Sequence, residues 1–133
     1  MAQGTVKRPV VLVVEDEPLI RLMAMDLIED GGFDVVSVAD AGEAVVILEK
    51  RLDIRIVFTD IDMPGGMDGI RLAALVRERW PPIEIVVTSS HMHITQAQMP
   101  ARGVFMSKPY DGAELVALLR SLAEERPDIA DPV

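Results

Sequence analysis

Short runs of apolar, β-branched residues alternate along this chain with longer stretches of helical period, the rhythm of a parallel sheet wrapped by helices on both faces. The runs Val10–Val14, Val35–Val38, Ile56–Thr59, Ile83–Thr88 and Val104–Met106 predict five strands. Most are continuously apolar, as strands covered on both sides should be. After Pro18, a good first helical residue, Leu19, Met23 and Leu27 recur every fourth position and Gly31-Gly32 supplies a stop, which predicts a first helix. Asp40 followed by Glu43, and Asp111 followed by Glu114, are capping-box-like starts for a second helix and for the last one. The apolar stripe of that last helix is Leu115, Leu118, Leu119 and Leu122. Gly69–Arg79 reads as a third helix, closed by Trp80-Pro81-Pro82. His91–Arg102 has little apolar period and contains Pro100, so the fourth helix is expected to be short or irregular.

Composition narrows the picture. A chain of 133 residues, half of them hydrophobic, suits one domain with one well-buried core. We place that domain at residues 9–123, with an extension at 1–8 and a tail at 124–133 that is rich in proline and carboxylates. A net charge of −9 without a Lys/Arg cluster repels a phosphate backbone and argues against direct nucleic-acid binding. The absence of cysteine removes disulfides, thiolate catalysis and Cys-based zinc sites. Val10–Val14 is too short for a signal-peptide core or a membrane span, and a cytoplasmic protein is expected.

In an open α/β sheet, reactive groups gather beyond the carboxyl ends of the strands. The residues there are Glu15-Asp16-Glu17 after strand one, Asp60-Ile61-Asp62 after strand three, Thr88-Ser89-Ser90 after strand four and Ser107-Lys108-Pro109 after strand five. Carboxylates brought together repel one another unless a cation neutralises them. An all-oxygen donor set favours a hard ion, and Mg²⁺ is the first choice. A carboxylate can also attack phosphorus to form an acyl phosphate if donors offset the charge on the phosphoryl oxygens. Asp60 is the natural attacking group, with Lys108 and Thr88 as donors.

At these residues the chain resembles the response-regulator receiver family, including its single-domain chemotaxis type, over essentially Val10 to Ala123. The resemblance is carried by VVLVVEDEP (10–18), VFTDIDMPGGMDG (57–69), VVTSS (86–90) and FMSKP (105–109). It implies a flavodoxin-like (βα)5 fold with strand order 2-1-3-4-5. It further implies that Glu15 and Asp16 are the metal-binding acidic pair, Asp60 the phosphorylated residue and a metal ligand, Thr88 the switch hydroxyl and Lys108 the phosphate-sensing lysine. The main-chain carbonyl of Asp62 would be a further metal ligand, Phe105 the switch aromatic, and the bond before Pro109 cis. The phosphoryl donor would be a sensor histidine kinase or a histidine phosphotransfer protein. A downstream protein would then respond to a change at the surface formed by the fourth helix, the fifth strand and the last helix, the receiver acting as a stand-alone monomer or a phosphorylation-dependent dimer. Gly65-Gly66 departs from the pattern by one extra glycine, and the span from Thr88 to Lys108 is shorter than usual.

The same residues admit other readings. Glu15-Asp16 alone could be a helix amino-terminal cap stabilised by the helix dipole, and Lys108 alone a solvated lysine. His91 and His93 lack further ligands and read as loop residues, Trp80 as a helix-ending contact, and the methionines as adaptable core filling. Asp60-Ile61-Asp62 also resembles the Asp-x-Asp nucleophile of haloacid-dehalogenase-like phosphatases, but that scheme leaves Glu15-Asp16 without a place. A pseudo-receiver, a binding module without the chemistry, is the other alternative. The expectation is therefore a signalling protein rather than an enzyme acting on a separate substrate.

Overall fold

The structure, a computed structural model, describes residues 8–63, 67–89 and 99–124. Five parallel strands form one sheet: β1 (Val10–Val14), β2 (Asp34–Val38), β3 (Ile54–Asp60), β4 (Glu84–Ser89) and β5 (Gly103–Ser107). Their order is β2-β1-β3-β4-β5, as the resemblance implied. Four helices are present among the described residues: α1 (Pro18–Asp30), α2 (Ala41–Lys50), α3 (Gly69–Arg79) and α4 (Gly112–Glu124). The helix expected over 91–102 falls largely on 90–98, outside the described residues, as do Gly65-Gly66, the two histidines and most of the tail. What is described there is a turn before β5, where the Gly103 N–H donates to the Pro100 carbonyl at 3.0 Å and Arg102 takes a φ of 63°.

Alternation along the central strands sorts the core into two layers. Val10, Leu12 and Val14 of β1 face α2 and α3, joining Ala44, Leu48, Leu72 and Val76. Val11 and Val13 face α1 and α4, joining Ala24, Ile28, Leu115 and Leu119. Both sides of β1 are thus buried, which is why its sequence is apolar without interruption. The edge strand β2 is only partly covered over most of its length.

The predicted caps form. The Asp40 carboxylate accepts from the Glu43 N–H at 2.9 Å, the Glu43 carboxylate accepts from the Ala39 N–H at 2.8 Å, and Asp111 accepts from the Glu114 N–H at 3.1 Å. Gly31 caps α1, and Gly32 takes a φ of 104° that suits glycine alone. Trp80 ends α3 by packing on the core, with the Arg79 guanidinium 4.5 Å over its ring. The periodic stripe of α1 behaves differently. Leu19 and Met23 are 66% and 62% exposed, while α1 packs through Ala24 and Ile28, with only Leu27 of the stripe packed against the core. The small Ala24 lets the helix lie close to the sheet, and that contact sets its rotation.

Candidate functional site

Parallel register carries the chemical groups to one rim. Val14 pairs with Thr59 and Asp60 with Thr88, so β1, β3 and β4 release their polar residues side by side. Beyond β5, the Lys108 N–H donates to the Ser89 carbonyl at 3.0 Å, which returns the lysine toward the same rim. The Lys108–Pro109 bond is cis.

Glu15, Asp16 and Asp60 each present a carboxylate oxygen within 4.8 Å of the others. Lys108 Nζ stands 3.3 Å from Glu15 Oε1 and 3.3 Å from Asp60 Oδ1. The approach to Glu15 has hydrogen-bond geometry, whereas the one to Asp60 is an ion pair without it. Glu15 and Asp60 are both buried, and burial first, then repulsion from Asp60 on Glu15 and from Asp62 on Asp60, holds both carboxyl groups above their usual range. Burial pushes the Lys108 ammonium down, but Asp60 and Glu15 together outweigh it and raise the lysine above its ordinary value.

Among the described residues, Lys108 pairs with two of the three clustered carboxylates, Glu15 and Asp60, and its single charge leaves the cluster short of positive charge. Among the described residues, Asp60 Oδ1, an ion-pair partner of Lys108, and Thr88 Oγ1 are buried without a hydrogen bond, so the first can take a cation and the second can donate to an anionic group. A divalent ion fits Glu15, Asp16 and Asp60 on both counts, since the donors are hard oxygens and the deficit is of positive charge.

Phe105 pairs with Val87 in register and is half-buried against the α2/α3 core layer. Asp62 is exposed, and its carboxylate accepts from the Ser89 hydroxyl at 3.2 Å. The roles of three positions at the rim, one of them Gly69 at the end of the 57–69 motif, escaped the sequence reading. Gly69 lies so close to Asp60 that a Cβ would meet the Asp60 carbonyl oxygen at 2.2 Å. Arg21 donates from Nη1 to the Glu15 carbonyl at 2.8 Å. Tyr110 packs edge-on to Phe58 with ring centroids 5.7 Å apart, beside Lys108, and burial raises its hydroxyl above the usual range. Motifs of charged residues could not reveal Gly69 or Arg21, because both act on main-chain carbonyls.

A sheet of this order with an acidic cluster at its carboxyl rim defines a flavodoxin-like α/β protein whose reactive site is built from strand ends. The model of the response regulator receiver domain family matches residues 11–120, and the chain belongs to that family. It is 30% identical over 112 residues to the response regulator protein FleR of Pseudomonas aeruginosa, covering 82% of this chain and 23% of that protein. It is 29% identical over 118 residues to the nitrogen assimilation regulatory protein NtrX of Azorhizobium caulinodans, covering 86% of this chain and 26% of that protein. The chain spans about a quarter of the length of these relatives. A crystal structure of a response regulator receiver protein from Sinorhizobium medicae matches with a TM-score of 0.83 at 26% identity, covering 90% of this chain and 98% of that one. The family is that of signalling domains in two-component systems, so neither a haloacid-dehalogenase-like phosphatase nor a bare binding module is favoured. Among the described residues no helix is long and apolar enough to cross a membrane.

Proposed function

We propose that the chain accepts a phosphoryl group on Asp60 from a phosphohistidine of a sensor kinase or phosphotransfer protein, with Mg²⁺ held by Glu15, Asp16 and Asp60 and by the main-chain carbonyl of Asp62. The observation that carries this reading is the cluster of three carboxylates within 4.8 Å, two of them sharing Lys108. Bound there, Mg²⁺ supplies the positive charge that lets a phosphoryl group enter an acidic site. The Asp60 carboxylate oxygen attacks phosphorus, the P–N bond to the donor imidazole breaks, and the departing ring nitrogen keeps that electron pair. Lys108 exchanges its contact with Asp60 for a phosphoryl oxygen, and the Thr88 hydroxyl, buried and without a hydrogen bond among the described residues, donates to another.

The output is conformational in this reading. Drawing Thr88 toward the phosphoryl group moves the end of β4, against which Phe105 of β5 packs through Val87. That biases the β4–β5 face and α4 between two arrangements with different affinity for a downstream protein. The receiver unit is residues 9–123 and works in the cytoplasm, where its phosphodonor resides.

Intact mass after incubation with acetyl phosphate, with and without Mg²⁺, tests the chemistry on wild type and Asp60→Asn. One added phosphoryl group, about 80 Da by mass arithmetic, is expected only with Mg²⁺ and only in wild type. No addition under any condition overturns the reading.

A further inference from the structure

The acidic cluster needs Asp16 to point at the same place as Glu15 and Asp60, yet the two neighbours in sequence are held very differently. Glu15 is fixed on every side. Its N–H donates to the Val38 carbonyl at 3.1 Å, its Oε2 accepts from the Glu17 N–H at 3.1 Å, and its Oε1 accepts from Lys108 at 3.3 Å. None of the hydrogen bonds among the described residues engages the Asp16 carboxylate, which is only partly buried. The point from which it swings is therefore set by the backbone.

That backbone begins with the peptide plane joining Glu15 to Asp16, a rigid unit that carries the Glu15 carbonyl at one end and the Asp16 N–H and Cα at the other. The Arg21 guanidinium grips the carbonyl of this same plane from one turn into α1, at 2.8 Å. The Arg21 N–H is itself the α-helical donor to the Glu17 carbonyl at 2.8 Å, so the grip is anchored in the first turn of the helix. From this geometry we infer that Arg21 is a positioning residue for the cation site: it holds the Glu15–Asp16 peptide so that the Asp16 carboxylate meets the other two. The inference rests on the Mg²⁺ reading above.

Charge and positioning predict opposite signs here, which makes the idea easy to test. A guanidinium near a divalent ion repels it, so its removal would tighten Mg²⁺ binding if charge were all that mattered. If Arg21 aims Asp16, its removal loosens binding, by about tenfold on the scale usual for groups that orient a ligand. Isothermal titration of the full chain with MgCl₂ is the measurement, on wild type, Arg21→Met and Arg21→Gln, the last two lacking both the charge and the reach. Thermal midpoints in EDTA establish that the variants fold, and Gln serves should Met not. Weaker binding in the variant that persists in 0.5 M KCl, where the Debye length is only several Å, supports the inference. Equal or tighter binding overturns it, as does a loss that vanishes with salt. Absence of Mg²⁺ binding to wild type would instead overturn the metal reading itself.

Discussion

Gly69 sits with its Cα against the main chain of Asp60, where an added Cβ would stand 2.2 Å from the carbonyl oxygen and 2.8 Å from the Ile61 Cα. The obstacles are backbone atoms on a buried strand end, so neither can step aside by changing rotamer. Gly69→Ala must push α3 away from the rim or shift Asp60 itself. We expect a loss of about 1–3 kcal/mol in urea unfolding and weaker Mg²⁺ binding. Gly42, inside α2, has only an ordinary 3.4 Å contact, so Gly42→Ala should gain about 0.5–1 kcal/mol.

The raised carboxyls give a pH test in the absence of metal. A carboxyl held above its unfolded value binds its proton more tightly in the folded chain, so it adds stability below the ordinary carboxylate range and loses it as pH rises through the raised value. In EDTA the wild type should therefore lose ground to Asp60→Asn as pH climbs from 4 toward neutrality. The difference in melting temperature between the two, followed across that range, should grow in favour of Asn. A constant difference would show that burial of the Asp60 charge does not strain the fold. Saturating Mg²⁺, at about 100 times its Kd, should return about 2.7 kcal/mol to the wild type.

Lys108 separates metal binding from chemistry. Its removal leaves Glu15 and Asp60 with less positive charge nearby, so Lys108→Met should bind Mg²⁺ at least as tightly as wild type. The same variant loses a donor to the transferring group, and its rate of phosphorylation by acetyl phosphate should fall on the order of 10²-fold. Titration calorimetry and a mass-resolved time course read the two effects independently.

The rotation of α1 makes a stability prediction that the hydrophobic pattern alone would reverse. Leu19→Ser and Met23→Ser remove apolar groups that already face solvent, and each should change stability by less than about 0.5 kcal/mol. Ile28→Ala, at a fully buried position, should cost about 2–5 kcal/mol. Urea denaturation of the three variants decides the matter.

These cases show what the sequence could and could not convey. Val10–Val14 and Ile85–Val87 announced themselves because a strand buried on both faces has no polar position to confuse its pattern. The strand-end groups Glu15, Asp16, Asp60, Thr88 and Lys108 were legible because parallel strands deliver their next residues to one rim. The buried face of α1 was not legible: Ala24 marks it by being small, while the larger Leu19 and Met23 dominate the periodicity. Arg21 and Gly69 were hidden for a related reason, since each engages a carbonyl that every residue possesses.

The pairing of Glu15 with Lys108 spans 93 positions of chain. At a ribosomal pace of about 5–20 residues per second, roughly 5–20 s separate the synthesis of the first carboxylate from that of its ammonium partner. Through that interval Glu15, joined about halfway by Asp60, exists without its lysine partner. The lysine that closes the rim is thus also a timing mark: the site comes into being only once the fifth strand has been made and docked.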